Sequence, residues 1–152
     1  MIAIFLAQGF EEVEALTPLD YLRRCEELEV KTVGVTGKMV TSSHGVTVLA
    51  DLSLDEVPME KLELIVLPGG MPGTLNLEKS QPLRKIIDYC VTNNIPIGAI
   101  CAAPSILGHK GLLNGRKATC YVGFEDQLTG ATVVKDPVVV DGNFITARGA
   151  GV

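Results

Sequence analysis

IPIGAICAAPSILGHKGLL, residues 95–113, decides the fold. IPIGAIC (95–101) is short, almost wholly apolar and ends at a small polar residue, as a strand buried on both faces does. AAPSILGHKGLL follows with small residues, an early proline and apolar spacing, which predicts a helix over 103–112. The same strand signature recurs in IAIFLA (2–7) and LELIVLP (62–68), and helical periodicity predicts further helices over 11–28 and 80–93. Apolar strands alternating with helices imply a parallel sheet covered on both sides, a doubly wound α/β sandwich. A short strand is expected at 30–35, and KMVTSSHGVTVLA (38–50) reads as hairpin-like. In VVKDPVVV–DG–NFITA (133–147), Asp141-Gly142 is a two-residue turn signal between alternating apolar runs. With no internal repeat and no linker, residues 1–152 read as a single domain. The chain stops at RGAGV (148–152), just after a strand, where this architecture normally supplies a closing helix, so a missing C-terminal helix is expected.

Composition narrows the function classes. The 152 residues are 47% hydrophobic and 20% charged, which places the chain among ordered globular proteins. The net charge is −5 with acids and bases interleaved, so no basic stripe is offered to a phosphate backbone and no nucleic-acid binding is expected. The N-terminal MIAIFLAQGF has no basic lead and breaks at Gln8-Gly9, reading as a first strand rather than a leader, and no run is long enough for a membrane span. Cys25, Cys90, Cys101 and Cys120 lack CxxC pairing and histidines at ligand spacing. That argues against a zinc site or a disulfide framework and favours free thiols in a reducing, cytoplasmic setting.

Cys101 is the residue on which the chemistry turns. Ligands in an open parallel sheet bind beyond the carboxyl ends of the strands, where the next helix offers unpaired N–H groups. Such a position is expected to lower the thiol pKa from about 8.5 into a range of roughly 3.5–7.5; the alternative is an inert, packed thiol. Glu14 lines up with Pro18, Tyr21 and Cys25 on a helix, beside Ala15, Leu19 and Leu22, which puts its carboxylate on the apolar face. Desolvation there would let it hold a proton and share it with a nearby sulfur; the alternative is a first-turn acid favoured by the helix dipole, as for Glu11 and Glu12. In LPGG (67–70), Gly69 and Gly70 allow the backbone to approach a ligand or aim N–H groups at an anion, although Gly-Gly after a strand is also an ordinary turn. His109 lies eight residues beyond Cys101, about 12 Å along a continuous helix, and His44 falls in a polar turn. No histidine is therefore available to the thiol from local geometry, which counts against a cysteine peptidase. Cys120, at the end of the expected strand RKATCY (116–121), is either a second thiol or a buried structural one; Cys25 and Cys90 fall on helix faces.

EEVEALTPLDYLRR (11–24), LPGG (67–70), AICAAPSIL (99–107) and TARGAG (146–151), in that order, resemble the ThiJ/PfpI superfamily, most closely its parkinsonism-associated deglycase and bacterial ThiJ-like branch. The resemblance implies a flavodoxin-like three-layer sandwich of the class I glutamine amidotransferase type, with a reactive Cys101 on a nucleophile elbow and a protonated Glu14 bonded to it. It maps the anion-binding amides onto Gly70 and Ala102, and sets Gly69, Tyr121, Cys120 and Arg148 around the site. It implies cysteine-dependent glyoxalase or deglycase chemistry on methylglyoxal-type aldehydes or early glycation adducts, with no cofactor and no metal. The alternative it carries is a redox-sensing or chaperone-like stress protein whose Cys101 is oxidised. A homodimer formed on the side of the first helix, with its Arg23-Arg24 pair, is implied too. Three positions depart from the pattern: Ala102 stands where the peptidase-like branch has histidine, Tyr121 where animal deglycases have one, and Ala150 where proline is common.

Overall fold

The computed structural model describes residues 1–150. In chain order the elements are β1 (Ile2–Leu6), α1 (Glu12–Arg23), β2 (Val30–Gly34), β3 (Met39–Thr41), β4 (Thr47–Leu49), β5 (Leu52–Ser53), β6 (Leu64–Leu67), α2 (Gly73–Lys79), α3 (Gln81–Thr92), β7 (Ile97–Ile100), α4 (Pro104–His109), β8 (Lys117–Ala118), β9 (Thr132–Val133), β10 (Val138–Asp141) and β11 (Phe144–Ala147). Seven strands form one sheet in the order β10-β11-β7-β6-β1-β2-β5. Every neighbouring pair in it is parallel except β10 with β11. Strands β3 and β4 form a separate antiparallel hairpin, and β8 pairs with β9 in parallel.

Strand alternation explains why the central strands are apolar throughout. On β1, Ile2, Ile4 and Leu6 pack with Phe10, Ala15 and Val30 on the α1 side, with Leu19 and Leu22 of α1 against them. Ala3, Phe5 and Ala7 point the other way, into a larger core with Leu77 of α2, Leu83, Ile86, Ile87 and Cys90 of α3, and Ile106 and Leu107 of α4. Both faces of β1 are thus removed from water, and polar residues have no place on it. This is the α/β, flavodoxin-like sandwich that the strand pattern implies. The described α1 side is not uniformly covered. An apolar groove of about 480 Å³ runs between α1 (Val13, Thr17, Tyr21) and the β7 and β11 residues Gly98, Ile100 and Ile145. Gly151 and Val152, where the expected closing helix would depart, lie outside the described residues.

Several boundaries differ from the sequence expectation for local reasons. Helix α1 ends at Arg23 rather than 28, because Cys25 and Leu28 tighten into turns donating to Leu22 O and Cys25 O, while Arg23 reaches the Val30 carbonyl and Asp51. Helix α4 has six residues, since Leu112 N–H turns back to Leu107 O. Helix α2, for which the sequence reading placed no element, is anchored by buried Thr74 and Leu77. In RKATCY only Lys117 and Ala118 pair as a strand, because Thr119 N–H is diverted to the Thr146 hydroxyl at 3.0 Å. The late hairpin turns on Gly142-Asn143, one residue beyond the expected pair, since Asp141 and Phe144 face each other across the strands.

Candidate active site

The end of β7 forces the chain through an unusual conformation. Cys101 follows Ile100 with φ of 64°, a left-handed backbone that non-glycine residues keep only when their surroundings hold it. Three hydrogen bonds do so: Cys101 N–H donates to Ala147 O (3.0 Å), Tyr121 N–H to Cys101 O (2.8 Å) and Ala103 N–H to Ile100 O (3.1 Å). Pro104 then opens α4 at its first helical position, where no N–H is needed. The elbow leaves the half-buried thiol beside the Glu14 carboxyl, with the Gly70 and Ala102 amides near enough to favour its anion.

Glu14 arrives from the opposite side, in the first turn of α1. Its own N–H is taken by Glu11 Oε2 at 2.9 Å, so Glu11 is the N-cap of this helix rather than a generic first-turn acid. The Glu14 side chain is only 4% exposed. Its Oε2 accepts from Gly69 N–H (2.9 Å) and its Oε1 from Ala150 N–H (3.2 Å). Pro18, four residues on, lacks the amide that would otherwise bond the Glu14 carbonyl within the helix.

Gly69 is required by space. A Cβ there would lie 2.6 Å from Glu14 Oε2, 2.7 Å from Cys101 Cβ and 2.9 Å from Ile100 O, so only a glycine lets carboxyl, thiol and strand end converge. Gly70 is required by conformation, with φ of 93°, which turns its amide onto the sulfur.

The electrostatics correct the expectation of a thiol acidified by its helix. Burial, then the charge of Glu14 and the hydrogen bond to it, push the Cys101 thiol up to about 12, against the pull of the Ala102 and Gly70 amides. Helix α4 is too short to offset this. Burial likewise raises Glu14 above the ordinary carboxylate range, outweighing its bonds from Cys101, Gly69 and Ala150, with the nearby Glu11 charge adding to the rise. Each group thus resists ionising beside the ionised other. The two titrate as a coupled pair, and the sulfur is an anion most readily when the carboxyl keeps its proton.

The remaining expected residues divide. The exposed Tyr121 ring lies against Gly149, which itself borders Glu14 Oε1. Cys120 is buried, and its thiol is pushed up to about 11 by burial and the Glu125 charge, with Arg148 opposing. Arg148 donates to Lys135 O at 3.3 Å rather than to Glu14. Cys90 is a core thiol, raised to about 11 by burial, and exposed Cys25 bonds Glu27. Arg23 and Arg24 are both engaged within the chain, with Asp51 and Asp20. His109 pairs with Glu78 of α2 and His44 with Glu12, so among the described residues neither histidine bonds the Cys101 thiol. The Ala150 amide on Glu14 and the Glu11 cap were not foreseen. TARGAG marks the segment, but only folding brings residue 150 to residue 14.

Comparison with known proteins finds relatives along the whole chain. The family model described as DJ-1/PfpI family matches residues 1–152. The Arabidopsis thaliana protein DJ-1 homolog B is 37% identical over 99% of the chain, which spans only 34% of that protein's length. Deglycase PfpI of Pyrococcus furiosus is 36% identical, covering 99% of this chain and 92% of its own. Among solved structures, oxidized Toxoplasma gondii DJ-1 superposes with a TM-score of 0.91 at 34% identity, covering 97% of this chain and 81% of that one.

Proposed function

The chain belongs to the DJ-1/PfpI family, and from that premise we propose that it is a cysteine-dependent, cofactor-independent glyoxalase or deglycase acting on methylglyoxal-type aldehydes or their early glycation adducts. The observation that carries this reading is the convergence of the Cys101 thiol and the buried Glu14 carboxyl across Gly69, close enough for a proton to pass between them. The name of the Pyrococcus relative, a deglycase, supports it.

The chemistry follows from that proton. With the carboxyl protonated, the Cys101 thiolate attacks the aldehyde carbon, and the C=O electrons move onto oxygen. The Gly70 and Ala102 amides lose their anionic partner as the C–S bond forms and are free to stabilise the new alkoxide. Glu14 gives its proton to that oxygen, completing a hemithioacetal, and is left as a carboxylate. The carboxylate then removes the hydrogen from the former aldehyde carbon, whose electrons form a C=C bond as the ketone pair moves onto oxygen. That oxygen takes the hemithioacetal hydroxyl proton, C=O re-forms at the sulfur-bearing carbon, and the carboxyl returns its proton to the neighbouring carbon, giving a hydroxyacyl thioester. Water cleaves the thioester, releasing the hydroxy acid and restoring one proton to the pair.

The test is lactate formation from methylglyoxal by protein freed of glutathione and metal. Wild type is expected to turn over, and Cys101→Ser to fall to background; equal turnover by the two eliminates the mechanism.

A second reading uses the same sulfur. A thiolate attacking peroxide expels hydroxide, which takes the Glu14 proton and leaves as water, giving a sulfenate; a second peroxide gives the sulfinate. The Toxoplasma relative's oxidized form favours this reading. Selective oxygen addition at Cys101 by mass spectrometry after stoichiometric peroxide, with negligible aldehyde turnover, would make it the main one.

A further inference from the structure

A second cluster of chemically able side chains sits at the head of α1, where the β3–β4 turn folds over the helix. Glu11, Glu12 and His44 each present one ligand atom, and these atoms all lie within 4.8 Å of one another. His44 Nδ1 is 3.0 Å from Glu12 Oε1 and 3.7 Å from Glu11 Oε1. Bonds of about 2.0–2.1 Å in a tetrahedral site put neighbouring ligands roughly 3.3 Å apart, so these separations bracket what one ion needs. The second Glu12 oxygen, Oε2, is buried and has no hydrogen-bond partner among the described residues. The carboxylates are largely covered, at 17% and 18% exposure, whereas His44 is 70% exposed, which leaves the cluster open to solvent on the imidazole side.

We infer that Glu11, Glu12 and His44 form a binding site for a divalent transition-metal ion of the zinc type. Two carboxylates and a neutral imidazole carry a charge of about −2, which such an ion cancels. The imidazole nitrogen selects zinc, cobalt, nickel or copper over magnesium and calcium, which prefer all-oxygen shells. Three protein ligands leave at least one position for water. The helix is not sacrificed, because Glu11 caps α1 through Oε2 while Oε1 is the atom near His44. The bound ion ties the turn at residues 42–45 to the helix that carries Glu14. The site is separate from the thiol and does not depend on the proposed aldehyde chemistry.

Cobalt(II) titration of chelator-stripped protein, followed by its visible absorption, tests the site. Wild type is expected to saturate at one equivalent without a sulfur-to-cobalt charge-transfer band. His44→Gln and Glu12→Gln are expected to weaken binding at least about tenfold, while a variant with Cys25→Ser and Cys101→Ser binds as wild type does. His44 is exposed, so its substitution leaves the fold intact, and circular dichroism verifies this. Absence of saturable binding, unchanged affinity in His44→Gln, or loss of binding in the cysteine double variant overturns the inference.

Discussion

Glu14 and Asp51 are both carboxylates held at the first helix, yet the structure drives them in opposite directions. Asp51 Oδ2 accepts from the Thr32 amide (2.8 Å), the Thr32 hydroxyl (2.9 Å) and the Arg23 guanidinium (2.6 Å). Burial pulls its pKa up, but the Thr32 bonds and the Arg23 charge hold it below the ordinary carboxylate range. Glu14 also receives two backbone N–H bonds, at Gly69 and Ala150, but its partners include no cation and its burial is far deeper. Amide donors alone do not keep a carboxylate charged once water is gone; an opposite charge and residual solvent do. One site therefore stabilises a fold through a fixed anion, and the other keeps a movable proton.

Removing that proton carrier is expected to have the largest effect. Glu14→Gln preserves size but neither gives nor takes the proton, and turnover should fall about 10²–10⁴-fold, the usual contribution of a positioned acid–base group. Without the carboxylate's charge and hydrogen bond, the Cys101 thiol should titrate below about 12. Ultraviolet thiolate absorbance, taken as the difference from Cys101→Ser, reads this directly. In wild type the same difference should show little sulfur anion at neutral pH, so the substitution should bring the onset of thiolate absorbance to lower pH. An unchanged turnover in Glu14→Gln would dissolve the contrast, making Glu14 as structural as Asp51.

A smaller effect is expected from crowding the contact between the groups. Gly69→Ala places a methyl 2.6 Å from Glu14 Oε2 and 2.7 Å from Cys101 Cβ, with the Ile100 carbonyl behind it. Since neither strand end nor elbow can yield freely, a loss of about 1–3 kcal/mol is expected. Denaturant midpoints measure it. A substitution tolerated without loss of stability or thiolate signal would show that carboxyl and thiol do not need this close approach.

The strength of these contrasts follows how each feature is written in the chain. The strands were legible because β1 is buried on both faces, and β6 and β7 on one with the other only half-buried, so all three lack polar interruptions. Glu14 was legible because helical periodicity puts a charged residue where apolar ones belong, and Cys101 because it ends a buried strand. The direction of the Cys101 shift was not legible from its position alone. It depends on a carboxyl 87 positions earlier in the chain, brought to the sulfur only by the sheet order. The short α4 was missed because its stop signal was passed over: Gly111, just beyond the helix, takes a φ of 72° and lets Leu112 N–H bond back to Leu107 O. The Glu11–Glu12–His44 cluster escaped a search for zinc spacing because its members meet across a hairpin and a helix.

The smallest expected effect is at Asp51, where pH separates the two carboxyl sites. Asp51→Asn keeps an oxygen for Thr32 but loses the charge facing Arg23, which is 44% exposed, so a cost of only about 1 kcal/mol is expected near neutrality. A carboxylate whose folded pKa is depressed contributes stability above its unfolded pKa, about 3.9, and loses that contribution as pH falls through the lower folded value. The stability gap between wild type and Asp51→Asn should therefore be constant above about pH 5 and close in stronger acid. The Cys101–Glu14 pair behaves differently. Burial raises the folded pKa of Glu14 above its unfolded value of about 4.3, so between those two values the folded chain binds more protons there than the unfolded chain and loses stability as pH rises. Its ionisation should thus register both in the pH dependence of turnover and as a wild-type stability that falls, relative to Glu14→Gln, as pH rises. Denaturant unfolding of wild type, Asp51→Asn and Glu14→Gln across pH 3–8 measures both slopes, and a gap between wild type and Glu14→Gln that does not change with pH would show that burial does not raise the Glu14 carboxyl.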